Sequence, residues 1–219
     1  MENKKKEEVN KVIDWSENHF PNSVLPLNSM KASIKYIILC IDIFDFLIRI
    51  SDDDDFQKIL TEVRTVYMWL MYYLLNYSDV AYESSVRSAA EWTMRLCVKY
   101  ADGQITFLEL SNMNHSRMWQ ILKDTPYFKD KDPLNNINNL FAKSSSNIHR
   151  SQFSNTMVVN FLNDIIKTKN NKTILKINKD IKYFYDFIVS EVWRKKLSNV
   201  DQLTIAQKIE YKNINESLI

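Results

Sequence analysis

Ile34-Lys35-Tyr36-Ile37-Ile38-Leu39-Cys40-Ile41-Asp42-Ile43-Phe44-Asp45-Phe46-Leu47-Ile48-Arg49-Ile50 is the stretch on which the fold turns. Its run of Ile, Leu and Phe is apolar enough to raise a membrane span. Lys35, Asp42, Asp45 and Arg49 break that run, and the roughly 20 uninterrupted apolar residues of a spanning helix are missing. The segment is therefore expected as the central core helix of a bundle, with no membrane contact. Asp42 and Asp45 then need partners or a wet interface, because an unpaired buried carboxylate is costly.

The rest of the chain agrees with long helices. Its 219 residues hold one glycine, Gly103, and four prolines, Pro21, Pro26, Pro126 and Pro133. A sheet protein with many tight turns uses more of both. Hydrophobic residues make up 45%, enough for a substantial core. The expected fold class is all-α, a single bundle of long helices. An N-terminal helix and loop occupy 1–28, the helical domain 29–198, and a tail or short docked helix 199–219.

Along the chain, Val9, Val12, Ile13 and Trp15 mark one side of a first helix over 5–19. Ser29 is placed to cap the core helix, which ends at Ser51-Asp52-Asp53-Asp54-Asp55. Those aspartates suit the start of the next helix, where the macrodipole favours negative charge. Their spacing matches no calcium loop. Helices follow over 56–76, 80–100, 106–123 (in one or two pieces), 134 to about 145, 153–166 and 174–197. The stretch 167–172 is a polar turn.

Charge is uneven along this chain. The net is +2, but from Lys143 onward 13 basic residues face 7 acidic ones, a net of +6. Such a half can approach phosphate backbones, and it can equally be a solvated helical face. Cys40 and Cys97 lie in apolar helical segments, and the N-terminus is charged where a signal peptide would be apolar. A reducing, cytoplasmic setting is the expectation. No metal-ligand spacing surrounds either cysteine, and neither a P-loop nor a Rossmann fingerprint is present. No metal or cofactor is expected.

Lys143-Ser144-Ser145-Ser146-Asn147-Ile148-His149 is the segment with chemical content. Histidine titrates near neutrality and serves as acid or base. A cation beside it suits metal-free RNA cleavage. A base takes the 2′-hydroxyl proton, the oxygen attacks the adjacent phosphate, and the cation meets the extra negative charge. His149 and Lys143 are the candidate catalytic pair, with Ser144, Asn147 and Arg150 as substrate contacts. The same residues also suit a plain helix end, with the serines and Asn147 terminating it and His149 capping its carbonyls. Arg87, Glu91 and Arg95 recur at four-residue spacing, either as a surface ion-pair ladder or as a polar network holding this helix to the His149 helix. In Asn114-His115-Ser116-Arg117-Met118-Trp119 a base, a cation and a stacking surface occur together, or else a polar stretch leads into a core tryptophan. The last long helix carries Lys176, Lys179, Lys182, Tyr183, Tyr185 and Trp193, a basic face with aromatics.

At these residues the chain resembles the HEPN superfamily, small all-α proteins common in prokaryotic toxin–antitoxin and other anti-phage systems. The family motif is an arginine, four to six residues beginning with a polar one, then histidine, near the end of a late helix. Here Lys143 stands in the arginine position, Ser144 is the polar residue and His149 the histidine. Arg87 and Glu91 match an upstream Arg-x-x-x-Glu helix found in divergent members. The resemblance implies a homodimer that brings two motifs into one composite ribonuclease site. His149 would be the acid/base and Lys143 the phosphate contact. Lysine lacks the planar fork with which arginine grips two oxygens. Inactive members of the superfamily act as binding or assembly subunits, so a protein partner from the same operon is the alternative to RNA.

Overall fold

In a computed structural model the backbone is described at residues 2–21, 23–126, 132–151, 169–194 and 202–218, and side chains at the same residues except 2, 3 and 148–151. The described residues are helical or connecting, with no strand among them. The expected helix over 153–166 lies outside them.

The helices are α1 (Glu2–His19), α2 (Lys31–Ile50), α3 (Asp54–Leu75), α4 (Asp79–Ala101), α5 (Phe107–Ser111), α6 (His115–Asp124), α7 (Asp132–Ser151), α8 (Asn171–Phe187) and α9 (Ile205–Leu218). Local chemistry sets most of their starts. Asp53 caps α3 by accepting from the Phe56 amide, and Ser78 caps α4 by accepting from the Ala81 amide. Thr106 and Glu109 form a reciprocal capping box on α5, and Asn114 caps α6, so the stretch 106–123 is two helices. Ser29 does not cap α2. It sits inside a 3₁₀ turn, Leu27–Met30, which begins after Pro26 and is anchored by buried Leu27 and Met30.

Five helices close a ring. Each of α2, α3, α4, α7 and α8 packs on the next, and α8 packs back on α2. Tyr67 of α3 sits at the centre, fully buried. Its ring meets Phe44 of α2 edge-on at 5.1 Å and Phe184 of α8 at 5.6 Å. Its hydroxyl shares a 3.3 Å hydrogen bond with Thr93 of α4. The two core aspartates find their partners. Asp42 pairs with Lys5 of α1 at 2.5 Å, and Asp45 lies 2.5 Å from the Arg64 guanidinium of α3. α2 is thus a core helix whose charges are answered by its neighbours. No described helix is long and apolar enough to cross a membrane. Cys40 and Cys97 are both buried.

α8 continues beyond Phe187 as a π-helical segment, Ile188–Trp193. There α9 docks as a helix, with the Trp193 indole donating to Asn215 at 2.8 Å and the Tyr185 hydroxyl donating to the Leu218 carbonyl. Arg49 of α2 pairs with Glu210 of the same helix.

If the Tyr67 junction holds the ring, truncating one of its arms is costly. Phe184→Ala is expected to lower unfolding stability by about 3–5 kcal/mol. Exposed Lys182→Ala is expected to change it by less than about 0.5 kcal/mol. Urea unfolding of both variants checks this, and equal midpoints would remove Phe184 from the core account.

Candidate anion-binding groove

Helices α7 and α8 leave a groove between them of about 590 Å³, lined by Asn136, Asn139, Leu140, Lys143, Lys172, Thr173, Lys176, Lys179, Asp180 and Tyr183. The lysines of α8 reach it because 172, 176, 179 and 183 recur at helical spacing on one side of the helix. The opposite side carries Ile174, Ile177, Ile181 and Phe184 into the core. Lys172 belongs to the first turn of α8 rather than to a polar turn, since Asn170 caps that helix by accepting from the Thr173 amide.

The charges are partly matched. Lys176 is paired with Glu83 of α4, and Lys143 lies 3.9 Å from Asp180. Lys172 and Lys179 have no ion pair among the described residues, and Lys179 lies over the Tyr183 ring at 5.6 Å. The groove therefore holds more positive than negative charge. Asp180 is its odd member, only 4% exposed at the groove floor. Burial pushes its carboxyl up to about 6, against the opposing pull of Lys143, Lys176 and Lys179.

The structure separates the residues singled out in the sequence. Lys143 projects into the groove with 53% of its side chain exposed. Ser144 is 2% exposed and outside the groove lining, and Asn147 is half-buried and also outside it. The side chains of His149 and Arg150 lie outside the described residues. The serine run does not end the helix near residue 145. The Ser145 hydroxyl donates back to the Phe141 carbonyl, and α7 runs on to Ser151. On that continuous helix Lys143 and His149 are about 9 Å apart along the axis and about a third of a turn apart around it.

Arg87 and Glu91 stand at the α4–α7 seam. The Arg87 guanidinium lies over the Phe141 ring of α7 at 5.2 Å, which ties α4 to the His149 helix. Glu91 pairs with Arg95 at 2.8 Å, and buried Arg95 also donates to the carbonyls of Leu110 and Met113. The expected ladder is thus a staple that holds the α5–α6 segment on α4. His115 stacks on Phe141 at 3.8 Å with rings nearly parallel, and its imidazole lies beside the Asn138 side chain of α7. Met118 is the core residue of that segment, while Trp119 is half-buried and Arg117 exposed.

Sequence reasoning missed Asp180, Asn136, Asn139 and Thr173. The signal for the first was present, since Asp180 interrupts a basic helical face next to Lys179. The asparagines and Thr173 carry no signal outside the pairing of α7 with α8.

A scan against protein-family models, a search of curated proteins and a search of solved structures each return no match.

The His115 environment yields a pH dependence. Burial, opposed by Glu91 and Asn138 and reinforced by Arg87, lowers the imidazole below its ordinary value near 6.5. The folded state then holds His115 neutral, while the unfolded chain takes the proton first. Its contribution to stability is complete above about pH 6.5 and is lost as the pH falls. His115→Phe keeps a stacked ring and removes the titration. The melting temperature of wild type is expected to drop further than that of the variant between about pH 7.5 and about pH 5. Parallel curves would show that His115 does not carry the effect.

Proposed function

We propose that this protein binds RNA through the α7–α8 groove, as a HEPN-like effector of a prokaryotic anti-phage or toxin–antitoxin system. The observation that carries the reading is the lysine set of one groove, Lys143, Lys172, Lys176 and Lys179, with Lys172 and Lys179 free of ion pairs among the described residues. Lysines neutralise phosphates as point charges and read no sequence, so the groove suits a nucleic-acid backbone. Asn136, Asn139 and Thr173 add neutral donors for phosphate oxygens or ribose hydroxyls. Tyr183 offers a ring beside the cations for base stacking.

Cleavage belongs to this proposal through the resemblance. Lys143, the residue in the motif's cation position, is a groove residue, and His149 follows on the same helix. In this reading Lys143 meets the phosphate, His149 transfers the proton, and no metal takes part.

A second reading, a helical adaptor in a larger complex, is favoured by a separate observation. Trp15, Met68 and Trp69 are exposed, and Trp15 and Trp69 link through Phe20, Tyr72 and Tyr73 into one aromatic surface across α1 and α3. Aromatic surfaces of this kind are enriched where proteins meet.

Binding of fluorescent single-stranded RNA across a salt series tests the first reading. Wild type is expected to bind with an affinity that falls as salt rises. Lys172→Glu with Lys179→Glu is expected to weaken binding and to reduce the slope of log affinity against log salt by about 1.4, roughly 0.7 per phosphate contact. An unchanged slope would move RNA away from the groove. In the same preparations without metal, His149→Ala is expected to abolish cleavage, and equal cleavage by variant and wild type would end the catalytic role of His149.

A further inference from the structure

A carboxyl group on the floor of an anion site is a contradiction that needs resolving. Asp180 is buried, lies 3.9 Å from the Lys143 ammonium, and lines the same space as Lys172, Lys176 and Lys179. A phosphate oxygen that reaches Lys143 comes within a few ångströms of Asp180. Two negative charges at about 4 Å repel by about 1 kcal/mol in water and by about 4 kcal/mol at the dielectric typical of a protein surface. An ionised Asp180 offers only acceptors to that phosphate, whereas a protonated one offers a donor.

We propose that the groove binds its phosphate-bearing ligand together with one proton, which is taken up by Asp180. The inference rests on the groove being the site of anion binding. The empty groove uses the Asp180 carboxylate as an internal anion that holds Lys143. The bound groove replaces that anion with a phosphate, and the protonated carboxyl donates a hydrogen bond to one of its oxygens.

The neighbours of Asp180 leave it as the group that changes charge. From α7 it faces Lys143, and along α8 it faces Lys176, Lys179 and Tyr183. From α4 come Glu83, already paired with Lys176, and the Tyr82 phenol. Tyr77, just before α4, donates its hydroxyl to Asp79. Burial drives both Tyr77 and Tyr82 upward, so they stay neutral. Asp180, with its carboxyl pushed up to about 6, lies within reach of cellular pH. By reciprocity a bound phosphate raises it further.

The test uses the full chain and a short oligouridylate, whose bases do not titrate in the range studied. Calorimetry at about pH 7.5 in two buffers of different ionisation enthalpy counts the protons taken up on binding. Wild type is expected to take up close to one proton. Its affinity is expected to fall by up to about tenfold per pH unit between about pH 6 and about pH 8. Asp180→Asn, close to isosteric and always neutral, is expected to take up none and to bind with little pH dependence. At about pH 8 the variant is expected to bind up to about 100-fold more tightly than wild type. Circular dichroism verifies that the variant is folded, and Asp180→Ser serves if it is not. Binding without proton uptake, or uptake that persists in Asp180→Asn and disappears in His149→Ala, overturns the assignment to Asp180 while sparing the groove. Absence of wild-type binding at every pH overturns the groove reading and this inference with it.

Discussion

The contact on which the rest depends is the buried Tyr67 ring, held edge-on between Phe44 and Phe184 with its hydroxyl on Thr93. One side chain of α3 thereby touches α2, α8 and α4. Edge-to-face aromatic pairs carry a directional preference that aliphatic contacts lack. The junction therefore sets how α8 stands against the other helices as well as that it is buried. α7 is seated on α4 through Arg87 and Phe141 and closes the ring against α8. The α7–α8 groove is the consequence. It is the seam where the ring closes.

Much of the fold was legible because local chemistry and packing agree. The aspartates after Ile50 do cap α3, and the interrupted run over 34–50 is a core helix because Lys5 and Arg64 answer its two carboxylates. Where the reading missed, a tertiary contact or a bond within the helix had overridden a local signal. Ser29 has the identity of a cap, but buried Leu27 and Met30 draw the chain into a 3₁₀ turn there. Ser144, Ser145 and Ser146 look like a helix end, yet Ser145 bonds back within the helix and Ser144 is buried. Small polar residues end a helix or continue it according to what their hydroxyls find, and spacing does not reveal that.

The candidate site was legible in part for the same reason. Lys143 stood out through its neighbours in sequence, and Lys176 and Lys179 through their face of the last long helix. That the two groups share one groove depends on α7 meeting α8, which no local pattern encodes. His115 illustrates the converse. Its sequence neighbours suggested a base beside a cation and a stacking surface, but its stacking partner is Phe141 of another helix and the cation over that ring is Arg87.

Net charge by itself does not make a binding surface. Several of the basic residues described from Lys143 onward are matched. Lys169 meets Asp79, Lys176 meets Glu83, Lys182 meets Asp186 and Lys212 meets Glu216. Pairs on a helix surface are worth only a few tenths of a kcal/mol, yet they cancel the field that a polyanion would sense. The charge of these four lysines is thus matched locally. Within the groove Lys172 and Lys179 remain without ion pairs among the described residues, and Lys143 is held only by a carboxyl that burial has made reluctant to ionise. A weak counter-charge of that kind leaves the field in place while limiting lysine repulsion in the empty groove. The distribution of pairs, more than the number of lysines, is what marks the α7–α8 seam as the candidate anion site.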